Sequence, residues 1–145
     1  MNAPLHYLLM ANHQLFQKAL LADIKETGLT PGQPKILDYL STHDGAVQKE
    51  IAVFCHMEPA TVTSVLLGME SKGLIVRKNL NGNRRSLYVF LTDTGRQFAE
   101  TVRLRFEAIE ARGLNGFSPA EKEQLSALLS KLYANMCEPG GSLNA

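Results

Sequence analysis

Residues 77–92, RKNLNGNRRSLYVFLT, place four cations (Arg77, Lys78, Arg84 and Arg85) around an Asn-Gly pair and follow them with an apolar run. In that run Leu87, Val89 and Leu91 alternate with Tyr88 and Phe90, the period of two of a strand with one buried face. Upstream, residues 74–78 (LIVRK) form a second such run. Two runs joined across Asn-Gly read as a β-hairpin, because that pair accepts the positive φ angles of a tight turn. Taken alone, a charged hairpin tip is most simply a solvated turn. Its neighbours in the chain decide otherwise.

The 145 residues carry 15 cations and 14 anions, so whole-chain charge says little about partners. The distribution says more. From Lys72 to Arg96 there are six cations and one anion, Asp93. Such an excess on a near-neutral chain is the pattern of one surface that meets a polyanion. The length suits a single domain with a substantial core. No apolar run reaches transmembrane length and no signal-peptide pattern opens the chain, so a cytoplasmic location without membrane contact is expected. Cys55 and Cys137 stand far apart without metal or redox spacing. Both read as reduced, buried small hydrophobes.

Working outward, residues 59–72 read as a helix that Pro59 starts and Gly73 closes. Val62, Leu66 and Met69 form its buried stripe, leaving Ala60, Thr61, Thr63, Ser64, Leu67 and Gly68 nearer the other face. A short amphipathic helix carrying Ile51 and Ala52 precedes it, after a turn at 43–45. Before that, Thr30-Pro31 with Gln33 reads as a capping box opening a helix over 31–42. A broad apolar stripe (Leu5, Leu8, Leu9, Phe16, Ala19, Leu20, Ile24) predicts a helix over 5–24 buried on more than one side, as between subunits. After the hairpin, a helix runs from Asp93 to about 112 and Gly113–Gly116 breaks it. Ser118-Pro119-Ala120-Glu121 then caps a last helix carrying Leu125, Leu128, Leu129, Leu132 and Met136.

The expected fold is therefore mainly α with a small β-hairpin: a winged helix-turn-helix over about 30–92, flanked by long helices over about 1–27 and 93–138. A slim helix fits the DNA major groove, and a flanking hairpin reaches phosphates or the minor groove, where arginine binds well. The cations at the tip are thus explained by position as well as by number.

At this point the chain resembles the MarR family of bacterial transcriptional regulators. The carriers are LTPGQPKIL at 29–37, QKEIA at 48–52, EPATVTSVLLGMESKGLIVR at 58–77 and NRRSLYVFLTDTG at 83–95. The resemblance implies a homodimer whose terminal helices interleave, binding double-stranded DNA. It also implies that Thr61, Thr63, Ser64 and Gly68 read the major groove, that Gln48 and Lys49 touch backbone, and that Arg84 and Arg85 act at the wing tip. Two departures stand out. Asn83 replaces the acid of the wing motif, so it can hydrogen-bond an arginine but not hold it by charge. Ser64 and Gly68 stand where many members carry arginines, which shifts readout toward the wing, backbone contacts and DNA shape.

Other chemistry is poorly supported. Cys55 and His56, adjacent on a helix, would diverge by about 100° and could not form a nucleophile–base pair, so no enzyme is expected. His6 and His13 share a face without a clustered cysteine or carboxylate, so neither metal nor other cofactor is expected. The resemblance implies a small aromatic or phenolic effector, for which Tyr7, His13, Phe16 and Tyr39, with Arg103 or Arg105, are the available residues; each also reads as plain core or interface. The expected function is a ligand-responsive, sequence-specific repressor on a pseudo-palindromic operator. The rival is a winged helix that docks its basic tip on an acidic protein.

Overall fold

The computed structural model describes residues 2–80, 82 and 85–137. Its elements are α1 (Leu5–Asp23), a 3-10 turn (Lys25–Thr27), α2 (Gln33–Thr42), β1 (Ala46–Val47), α3 (Gln48–Phe54), α4 (Pro59–Ser71), β2 (Ile75–Lys78), β3 (Tyr88–Leu91), α5 (Asp93–Gly113) and α6 (Pro119–Met136). The chain divides into two compact units, Met1–Ile109 and Glu110–Ala145.

In the first unit, the buried faces of the helices form one core. Ile36, Leu37 and Leu40 of α2, Ile51 of α3, and Val62, Leu66 and Met69 of α4 are all essentially inaccessible to water. Leu74, Ile75 and Val89 close it from the sheet, and Ile24 and Val102 from the long helices. Each side chain of this size stabilises the fold by about 1.5–3 kcal/mol when fully buried.

Three expectations need correction. The sheet has three antiparallel strands in the order β1-β3-β2, not two. Ala46 pairs with Val89 and Val47 with Tyr88, a strand too short to show a period. Helix α2 starts at Gln33, two residues late, because Gly32 has a positive φ of 91°. Only half of the expected box forms: Gln33 Oε1 accepts the Thr30 N–H at 3.1 Å. Pro34 consequently lies in the first turn, where a missing N–H costs nothing. Finally, His56 is not helical. It takes φ 52° in the turn after α3, the only non-glycine with positive φ among the described residues.

The stripe of α1 is covered only in part within its own chain: Phe16, Ala19, Leu20 and Ile24 pack into or against the core, while Leu5, Leu8 and Leu9 are exposed. Leu20 is the one buried residue of the helix itself, while Leu5, Met10 and Leu15 are all more than 60% exposed.

The second unit contains the end of α5 and α6. The Ser118 box forms in full: Ser118 Oγ accepts the Glu121 N–H at 3.1 Å, and Glu121 Oε1 accepts the Ser118 N–H at 2.9 Å. Leu125, Leu128, Leu129, Tyr133 and Met136 of α6 are exposed. Among the described residues no single helix is long and apolar enough to cross a membrane.

Candidate nucleic-acid interface

Helices α3 and α4 meet through a tight turn in which the Met57 N–H returns to the Ala52 carbonyl at 3.0 Å. Pro59 opens α4 with φ already fixed for a helix. Burial of Val62, Leu66 and Met69 turns Ala60, Ser64, Leu67 and Ser71 outward, at i, i+4, i+7 and i+11. Thr61 is exposed on one flank of this face, and Thr63 on the other.

The flank of Thr63 and Glu70 faces the sheet. Arg77 lies in register with Val89 and on the same side as Ile75, which is the core side. Its side chain is only 14% exposed. From there Arg77 Nε and Nη2 donate to the two oxygens of Glu70 at 3.2 and 3.1 Å, a bidentate pair. Arg77 Nη1 donates to Gln48 Oε1 at 3.0 Å, and Gln48 Nε2 reaches Thr63 Oγ1 at 3.5 Å. Thr63 Oγ1 in turn lies 3.1 Å from the Pro59 carbonyl. One guanidinium therefore joins β2, the first turn of α3 and the exposed flank of α4. Its hydrogen bond holds the Glu70 carboxyl below the usual glutamate range.

The reading of the local charge excess changes as a result. Arg77 belongs to the local charge excess but is spent inside the protein. Lys72 and Arg96 are likewise engaged: Lys72 Nζ donates to Gly28 O at 2.6 Å and Gln33 Oε1 at 2.9 Å, and Arg96 pairs with Asp44 at 2.7 Å. Arg77, Lys72 and Arg96 thus have structural roles, which a count along the chain cannot separate. Lys78 points the other way, with Nζ 5.4 Å from the centre of the Phe90 ring.

Of the residues expected to touch DNA, Thr61, Ser64, Lys49 and Arg85 are exposed. Gln48 and Thr63 belong to the Arg77 network. Gly68 is misplaced by the sequence reading. It faces α2, and a Cβ there would lie 3.2 Å from the amide nitrogen of buried Gln33. Asn83 and Arg84 lie outside the described residues. Sequence reasoning missed the role of Arg77, although strict alternation from Ile75 already assigns it to the inner face.

A cleft of about 450 Å³ opens beside α1, lined by His13, Phe16, Gln17, Pro34, Lys35, Met57 and Phe106 among others. The rings of Phe16 and Phe106 stack with centres 5.9 Å apart. Of the expected effector residues, His13 and Phe16 line this cleft and Tyr7 and Tyr39 do not. Tyr39 is buried, stacked on His43 and tilted against Phe54, each at 4.4 Å. Tyr7 is half exposed near the start of α1. Arg103 pairs with Glu100 and Glu107 on its own helix. Cys55 is buried as expected, and burial pushes its thiol up to about 11, which leaves it unreactive at neutral pH. Cys137, expected to be buried, is exposed.

The MarR family model matches residues 29–87, the span from the approach to α2 to the second wing strand. The HTH-type transcriptional repressor MdtR of Bacillus subtilis is 32% identical over 124 residues, 86% of this chain and 80% of that protein. The S. aureus MepR–DNA complex has a TM-score of 0.80 at 28% identity, over 93% of this chain and 99% of that one. A Mycobacterium tuberculosis MarR family protein, solved in complex with salicylic acid, has a TM-score of 0.70 at 28% identity, covering 90% and 97% of the two chains.

Proposed function

The chain belongs to the MarR family and is a DNA-binding transcriptional regulator, and from that premise we propose that it represses transcription as a homodimer on a pseudo-palindromic operator. The exposed face of α4, locked beside the wing by the Arg77–Glu70–Gln48 network, carries the reading. That face enters the major groove through Thr61, Thr63 and Ser64. Gln48 and Lys49 meet the flanking backbone, and Arg84 and Arg85 supply the wing's DNA contacts. Two-fold symmetry sets two such helices about 34–36 Å apart, one turn of duplex. A second copy covers the exposed apolar residues of α1 and those of α6, which few monomeric proteins leave open on this scale. Acting on chromosomal DNA, the protein works in the cytoplasm.

Selection of bound fragments from random DNA by the purified protein tests this reading. Recovered sites should share an inverted repeat, and their affinity should fall linearly with salt on logarithmic axes. Recovery of unrelated sequences with no shared motif would refute sequence-specific repression. On a selected site, Arg85→Ala should weaken binding by about 1–3 kcal/mol and lower the salt slope by about one, the signature of one lost phosphate contact. An unchanged affinity would remove Arg85 from the interface.

The cleft beside α1 supports ligand control. Its size suits a small organic molecule, with an aromatic floor at Phe16 and Phe106 and cationic or polar groups at Lys35, His13 and Gln17. Those groups favour a small aromatic acid, the class of ligand held by the M. tuberculosis relative. Met57, in the turn before α4, also lines the cleft, so occupancy shifts the population of α4 positions. Salicylate should raise the melting temperature and weaken operator binding, and Phe106→Ala should suppress both effects. Equal responses in the variant would place the ligand elsewhere.

A further inference from the structure

Resting on that reading of α4, we infer that the protein recognises thymine through its 5-methyl group, with Leu67 as the apolar contact. From Pro59 to Ser71 this helix contains no arginine, lysine, asparagine, glutamine or histidine. The side chains that make bidentate contacts to guanine or adenine are therefore absent from it. Its one ionisable group, Glu70, is held by Arg77, and the lysine that follows, Lys72, is bonded back to Gly28 and Gln33. What the helix offers a groove is hydroxyl groups and carbon.

Leu67 is 49% exposed at the middle of the outward face, one heptad after the equally outward Ala60, with Ser64 between them. An exposed leucine elsewhere on a protein surface means little. Here it occupies the position that a major groove would cover. In that groove the largest apolar group on any base pair is the thymine methyl, where cytosine carries only a C5–H. A hydroxyl accepts or donates to any base and discriminates weakly, whereas a leucine against a methyl excludes water only where thymine stands. Selectivity from α4 is thus expected to centre on A·T pairs at the positions that Leu67 reaches.

Replacing thymine by uracil removes that methyl and leaves base pairing intact, so it isolates the contact. In duplexes carrying a selected site, each thymine is replaced singly by deoxyuridine, and binding of wild type and Leu67→Ala is measured. We expect one or two positions per half-site where uracil weakens wild-type binding by about threefold to tenfold, as for one buried methyl against a leucine. The same replacement should change Leu67→Ala binding less than twofold. Because Leu67 is exposed, the variant keeps its core. Specific binding with no methyl-sensitive position, or with a loss undiminished in Leu67→Ala, would overturn the inference while leaving the repressor reading intact. Failure to select any shared site would overturn both.

Discussion

Gly95→Ala should destabilise the protein by about 2–4 kcal/mol, although alanine is the better helix former by about 1 kcal/mol. Gly95 lies in the first turn of α5, pressed against the backbone that enters the wing. A methyl group there would overlap the Leu74 carbonyl oxygen, lie 2.9 Å from its carbon and crowd Leu91 at 3.2 Å. Neither side can retreat cheaply. The Leu74 carbonyl accepts the Thr92 N–H at 3.0 Å, and Thr92 Oγ1 donates to Gly73 O at 2.6 Å while accepting the Gly95 N–H at 2.9 Å. Asp44 tightens the same corner through the Leu91 N–H at 2.8 Å and through Arg96. Thermal unfolding at fixed protein concentration should show a fall of roughly 5–15 °C. Gly113→Ala, on the same helix with open space around it, should leave the midpoint unchanged or raise it. A Gly95→Ala protein as stable as wild type would mean that this corner is looser than the structure shows.

The second large effect concerns Arg77. Arg77→Ala should weaken binding to a selected site by about tenfold to a hundredfold and cost about 1–3 kcal/mol of stability, because Glu70 and Gln48 lose a charged partner. The slope of affinity against salt should stay at the wild-type value, since Arg77 orients α4 and the wing without neutralising a phosphate. That separates it from Arg85, whose loss is expected to lower the slope. Lysine should rescue poorly, because a point charge cannot bridge two carboxylate oxygens and an amide in one plane. The pH dependence has a definite sign. Glu70 has a folded-state pKa below its ordinary value, so its pairing contributes fully above the ordinary glutamate range and is lost as pH falls through the lowered value. The stability gap between wild type and Arg77→Ala should therefore narrow in acid. A reduced salt slope in Arg77→Ala would instead make this residue a direct DNA contact.

Period and punctuation in the chain were enough to determine the order of the helices, the buried stripe of α4, the full cap at Ser118 and the two wing strands. These features depend on residues within a turn or two of each other, so local spacing carries them. The outward position of Thr61, Ser64 and Leu67 follows from the same helical geometry. Contacts between residues remote in sequence were decided only by the tertiary structure. Ala46–Val47 becomes a strand because β3 offers it hydrogen bonds, not because two residues have a pattern of their own. Gly68 turns to α2 because Gln33, 35 residues earlier, packs there. Tyr39 joins an aromatic stack instead of the cleft, since α3 brings Phe54 onto it. Charge shows the same division. Arg77, Lys72 and Arg96 look like any surface cation in a composition count, yet each has an anion or carbonyl fixed within 3.2 Å by the fold. A side chain's type states what it can bind, but only the packing of distant segments decides whether that capacity is used inside the protein or presented to DNA.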